Sequence, residues 1–98
     1  MKKFVATADI RVKDDLKDAH DFFNSLKNGL GLQFLNDYRT TLSKLTINPF
    51  NEKRYHNVGC LSLETFQFMI HFTVDEAKNT VLVMAVISTH RDLKTNWI

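Results

Sequence analysis

The hydrophobic period of the sequence changes at Pro49, and that change limits the folds open to the chain. Before the proline, apolar residues recur every three or four positions; after it they alternate. In "KDDLKDAHDFFNSLKNG", Leu16, Ala19, Phe23 and Leu26 share one helical stripe, acids crowd the first turn, and Asn28-Gly29 can close the end, so a helix is predicted near 15–28. Leu35, Tyr38, Leu42 and Leu45 keep the rhythm over 31–47, until Asn48-Pro49 ends it. With only Gly29 to Gly31 between them as turn residues, the two helices must form an antiparallel hairpin.

Beyond Pro49 the pattern is that of strands. "RYHNVGCL" reads as one strand, with Gly59 marking a bulge. In "FQFMIHFTV", Phe66, Phe68, Ile70, Phe72 and Val74 fall on one side and Gln67, Met69, His71 and Thr73 on the other. "TVLVMAVIS" is apolar on both sides, as an interior strand should be, and "DEAKN" forms the hairpin loop before it. At the other end, "KFVATADIRV" places Phe4, Ala6, Ala8, Ile10 and Val12 in one register, predicting a first strand. The order strand, helix, helix, strand, strand, strand implies an α+β fold. The helical hairpin packs on one face of an antiparallel-rich sheet, and the other face is open to a partner or ligand.

Length and composition narrow the function classes. At 98 residues and 44% hydrophobic content the chain suits one domain spanning 1–98. A net charge of +2 is too small for the dense basic stripe of a nucleic-acid binder. Residues 1–48 hold eight bases and six acids, and 49–98 hold five of each. Lys53, Arg54, Arg91 and Lys94 nevertheless gather near predicted strand ends. No apolar run approaches the ~20 residues of a membrane span, and Thr7 and Asp9 interrupt the apolar stretch that a leader would need. Cys60 stands alone, which fits a reducing compartment, so a cytoplasmic location is expected.

Few residues form a recognisable chemical constellation. His71, in mid-strand and opposite the phenylalanine row, is the titratable group of most interest, expected on a half-exposed face among polar neighbours. His20, His56, His71, His90 and Cys60 are too scattered for a zinc pattern, so neither a metal nor a cofactor is expected. "NGLGLQF" follows a helix where a phosphate cradle would follow a strand. Ser62, Ser88 and Cys60 have no activating base at a recognisable offset. The ending "THRDLKTNWI" puts Arg91 and Lys94 just past the last strand, with Trp97 placed to anchor the tail across a sheet edge and hold Arg91 near the open face.

Taken together, "DDLKDAHDFF...GLGLQFLNDYRTTLSKLTINP", "FQFMIHFTVDEAKNTVLVMAVIS" and "THRDLKTNW" resemble the RelE/ParE superfamily of bacterial toxins, the plasmid stabilization proteins, over nearly the whole chain. The resemblance implies a toxin neutralised by a cognate antitoxin that wraps it. Its target would be DNA gyrase, or messenger RNA cut on the ribosome. For a ribonuclease the implied catalytic set is Arg54, His71 and Arg91, with His71 moving the proton. Met69, however, stands where several RNA-cleaving relatives carry arginine, and a thioether cannot hold a phosphate. That departure favours the gyrase-inhibiting, ParE-like branch, without enzymatic activity. A non-toxic interaction module that keeps the fold is a further alternative. On this reading Met69, His71, Arg91, Lys94 and Trp97 meet the partner.

Overall fold

The computed structural model describes residues 3–49, 53–55 and 58–89, the short middle span as backbone only. Strand β1 (Val5–Ala8) leads into helices α1 (Ile10–Leu26) and α2 (Leu30–Ile47). Strands β2 (Lys53–Tyr55), β3 (Val58–Ser62), β4 (Phe68–Asp75) and β5 (Thr80–Ser88) follow. They form one sheet in the order β1-β5-β4-β3-β2, in which β1 runs parallel to β5 and every other pairing is antiparallel. This is the expected α+β arrangement with one strand more, because "RYHNVGCL" is divided between β2 and β3. The irregularity expected at Gly59 lies across from it, in β2, where Lys53 and Tyr55 pair with the adjacent residues Gly59 and Val58.

The first strand is shorter than its alternation suggests. It ends at Ala8, because the Asp9 carboxylate accepts the Arg11 N–H at 2.9 Å and so starts a helix five residues earlier than the acid-rich stretch implies. Ile10 and Val12, assigned to the strand by their alternation, belong to α1, whose buried stripe is led by Val12 and Ala19. Ile10 itself is 85% exposed, and Asp14 and Asp15 lie beyond the first turn that they were expected to occupy. Leu26, expected in the stripe, is 63% exposed at the last turn.

Between the helices the chain turns through Gly29, whose φ of 92° is left-handed and costs a glycine little. Asn24 reaches across the turn, its side-chain oxygen accepting the N–H groups of Gly29 at 3.0 Å and Gly31 at 3.3 Å. These are donors that the start of α2 leaves unmet. Gly31 is more than a turn residue. A Cβ there would lie 2.6 Å from the carbonyl oxygen of His20, so the glycine sets how closely the two helices approach.

The core fills the space between the helices and one sheet face. Phe34, Tyr38 and Leu45 of α2 meet Ile70 and Phe72 of β4 and Val81, Val83 and Val86 of β5, with Phe66, Phe68 and Val74 packed against them. The phenylalanine row of β4 thus faces the helices, as its alternation requires. Phe34 is fully enclosed, its ring centroid 5.4 Å from that of Phe23, 5.5 Å from Phe66 and 5.1 Å from Phe68. Asp37, one turn further along α2, anchors the turn between β3 and β4. Its two oxygens accept the backbone N–H groups of Glu64, Thr65 and Phe66 at 3.1, 2.8 and 2.9 Å. Lys44 of the same helix bonds to the Glu64 carboxylate.

A second irregularity shapes β5. His71 pairs with Ala85 but Phe72 pairs with Val83, which leaves Met84 as an extra residue in β5. The bulge reverses the strand's alternation, so that Val83 and Val86, three apart, both turn toward the helices.

Candidate functional site

The sheet face turned away from the helices follows from the pairing. Before the bulge it carries Val5 and Thr7 of β1, and Thr73 with Leu82; beyond it come His71 with Ala85 and Met69 with Ile87. Strand β3 adds Cys60 beside His71 and Ser62 beside Met69. Met69 and His71 therefore share this face, two positions apart on β4, as expected.

The environment of His71 differs from the expectation of a half-exposed group. It is 3% exposed, between Cys60 on one neighbouring strand and Ala85 on the other. The Cys60 sulfur lies 3.5 Å from Nδ1 of the imidazole, a contact between neighbouring strands that has no signal in the sequence. Burial disfavours the charged imidazolium and lowers the His71 pKa from its ordinary value of 6.5. The centre of the face is thus a neutral imidazole against a thiol, rimmed by the half-buried thioether of Met69.

Of the other expected site residues, Arg54 contributes backbone to β2 at the far edge of the sheet. Arg91, Lys94 and Trp97 lie outside the described residues, as does His90. Among the described residues no group of three or more His, Cys, Asp or Glu side chains is placed to hold a metal, and no helix is long and apolar enough to cross a membrane.

A second feature has no counterpart in the sequence reading. Between α1 and the C-terminal half of β5 runs a groove of about 220 Å³, lined by Asp15, Asp18, Ala19 and Phe22 of α1, Phe68 of β4, and Val86 and Ser88 of β5. Its base carries one long-range bond, from the Val86 N–H to the Asp15 carboxylate at 3.1 Å. In the sequence the acids of α1 only mark the start of a helix, and nothing local indicates that one of them bonds to a strand 71 residues away.

No protein-family model and no curated protein matches the sequence. Solved structures do match. The chromosomal ParDE toxin–antitoxin system from P. aeruginosa superposes with a TM-score of 0.75 at 16% identity, covering 88% of this chain and 96% of that one. The isolated RelE toxin of E. coli gives 0.67 at 16% identity over 93% of this chain and 89% of its own. The RelBE2 toxin–antitoxin complex of Mycobacterium tuberculosis gives 0.63 at 13% identity, covering 90% and 93%. The fold is that of the RelE and ParE toxins. At these identities the RelE/ParE-like fold is what the chain shares with them, and the roles of its residues must be argued from its own surface.

Proposed function

We propose that this chain is the toxin of a type II toxin–antitoxin pair, held inactive by a cognate antitoxin, and that its target is DNA gyrase. The toxin role rests on the RelE/ParE-like fold. The observation that favours gyrase over messenger RNA is the neutral character of the open face among the described residues. Met69, Ala85 and Ile87, half-buried around the enclosed Cys60 and His71, offer polarisable and apolar contact area, suited to a protein surface. Cutting RNA would require cations converging on a phosphate and a base able to take and release a proton near neutrality. His71, buried and with its proton affinity lowered, is poorly placed for that exchange. In this reading the antitoxin covers the open face around Met69 and His71, and Arg91, Lys94 and Trp97 extend the contact from the tail.

The test is a pair of assays on the purified protein. Gyrase supercoiling should be inhibited, and messenger RNA in a translating extract should remain intact. Codon-specific cuts in the ribosomal A site would instead establish the ribonuclease reading and direct mutagenesis to Arg54, His71 and Arg91. A protein inert in both assays, and not bound by the product of the adjacent gene, would be a non-toxic interaction module.

A further inference from the structure

Strand β1 stands at one end of the sheet, with β5 on one side and no strand among the described residues on the other. The Val5 N–H donates to the Asn79 carbonyl at 2.9 Å and the Asp9 N–H to the Val83 carbonyl at 2.8 Å, so the odd-numbered residues of this stretch turn their backbone groups toward β5. Alternation turns the N–H and C=O of Ala6 the other way, out of the sheet, where no hydrogen bond from a described residue reaches them. The strand carries no lysine, proline or bulge, features that keep sheet edges from pairing.

Large apolar side chains left in solvent gather at this same edge. Val5 in the strand is 64% exposed, Ile10 just past its end 85%, and Ile47 55%. Ile47 belongs to the group because Thr46, next to it, accepts the Phe4 N–H at 2.8 Å, which brings the end of α2 to the start of β1. Charges of opposite sign flank the strand. Lys3 precedes it, exposed and with no partner among the described residues, and Asp9 follows it, 33% exposed in spite of its bond to Arg11. A strip that is basic at one end, acidic at the other and apolar beside both complements its own reverse.

We infer that β1 pairs antiparallel with β1 of a second copy of this chain, with Ala6 on the two-fold axis. In this register Val5 lies opposite Thr7 and Lys3 opposite Asp9, each twice by symmetry. The two Ala6 residues exchange N–H to C=O bonds. The ladder is no longer than that, because the Phe4 N–H is already held by Thr46. Beyond it the end of α2 approaches the start of α1 in the second copy, so that Ile47 meets Ile10. Centring the pair on Thr7 instead would set Lys3 against Arg11, and the charges thus select Ala6. The axis is perpendicular to the sheet, which leaves the surface around Met69 and His71 free in both copies, and self-pairing stands whether or not the toxin reading does.

The test is sedimentation equilibrium of the free full chain from micromolar to millimolar concentration. Wild type should pass from monomer to dimer as concentration rises. Ala6→Pro removes an N–H that β5 does not use, so circular dichroism should show the fold kept while the dimer is lost. Lys3→Glu should weaken dimerisation by about tenfold at low salt, and by less as salt screens the pair. Asp9→Lys should weaken it as well, although it also removes a helix cap. An equimolar mixture of Lys3→Glu and Asp9→Lys chains should form a heterodimer tighter than either homodimer, because every flanking pair is then of opposite sign. A wild type that stays monomeric throughout would overturn the inference. So would a dimer that Ala6→Pro and Lys3→Glu both leave intact, which would place the contact on another surface. A monomeric wild type whose Ala6 amide becomes protected from exchange only on adding the product of the adjacent gene would assign the edge to that protein and equally overturn self-pairing. Failure to bind that product would strike the toxin–antitoxin reading alone.

Discussion

The two faces of the sheet are built from the same strands yet are committed to different tasks. The face under the helices is aliphatic and aromatic up to Ser88 at its end, with Ile70, Phe72, Val81 and Val83 closed from solvent. The opposite face mixes hydroxyl, thiol, thioether and imidazole groups and leaves Val5 and Leu82 exposed at its β1 end. Along β5 the division is enforced by Met84, whose insertion keeps Val81, Val83 and Val86 all on the helical side. Stability should therefore reside on one face and partner affinity on the other. That division can be broken by substitutions of similar size placed on either side.

The largest effect is expected at Phe34. Truncation to alanine removes a fully enclosed ring in contact with three others and leaves a cavity that helix and sheet cannot close, so Phe34→Ala should cost about 4 kcal/mol in chemical denaturation. A loss below about 1 kcal/mol would mean that the helical layer is not what holds the sheet.

Asp37 comes next. Its carboxylate holds three backbone N–H groups of the β3–β4 turn, and Asp37→Ala strands them, for an expected loss of about 2–3 kcal/mol. Asp37→Asn keeps one acceptor oxygen and should recover part of that. The two variants should also differ in hydrogen exchange at Glu64 to Phe66, a local signature that a general loss of stability would not give.

Met69→Asp reverses the pattern. The side chain is half-buried on the open face, so folding should change little, while affinity for the antitoxin should fall by about 2 kcal/mol because an unpaired charge enters the contact. Calorimetry with Lys27→Ala as the control separates this from a general effect. Equal affinities for the two variants would remove Met69 from the partner surface.

Much of this division was legible in the sequence. The second helix was delimited to within a residue at its start, because its apolar stripe is long and Asn48-Pro49 ends it. The phenylalanine row of β4 announced which face meets the helices. The stretch from Ala8 to Val12 misled because its few residues satisfy a strand period and a helix period alike, and only the Asp9 cap decides between them. The bulge at Met84 was hidden because "TVLVMAVIS" is apolar in either register. Alternation assigned His71 to the correct face but says nothing of burial, which depends on neighbours brought from other strands. The groove depends on where α1 passes β5, a tertiary fact without a local signal.

The smallest effect is a pH dependence at His71, and its sign follows from burial. The folded chain holds this imidazole below its ordinary pKa of 6.5, while the unfolded chain titrates it near that value. Above about 6.5 the group is neutral in both states and stability is complete. As the pH falls from there through the depressed folded value, the unfolded chain takes up a proton that the folded chain resists, and stability declines. Two carboxyls are likewise shifted toward lower pH. Asp9 is held below 3.8 by the Arg11 N–H and guanidinium, and Asp21 by hydrogen bonds from Lys17 and His20. The decline that sets in below about pH 6.5 should therefore be reduced in His71→Gln, while any loss below about pH 4 persists. The measurement is urea denaturation of both proteins across that range. Parallel curves would show that His71 is not held neutral in the folded chain, and would restore it as a proton carrier on the open face.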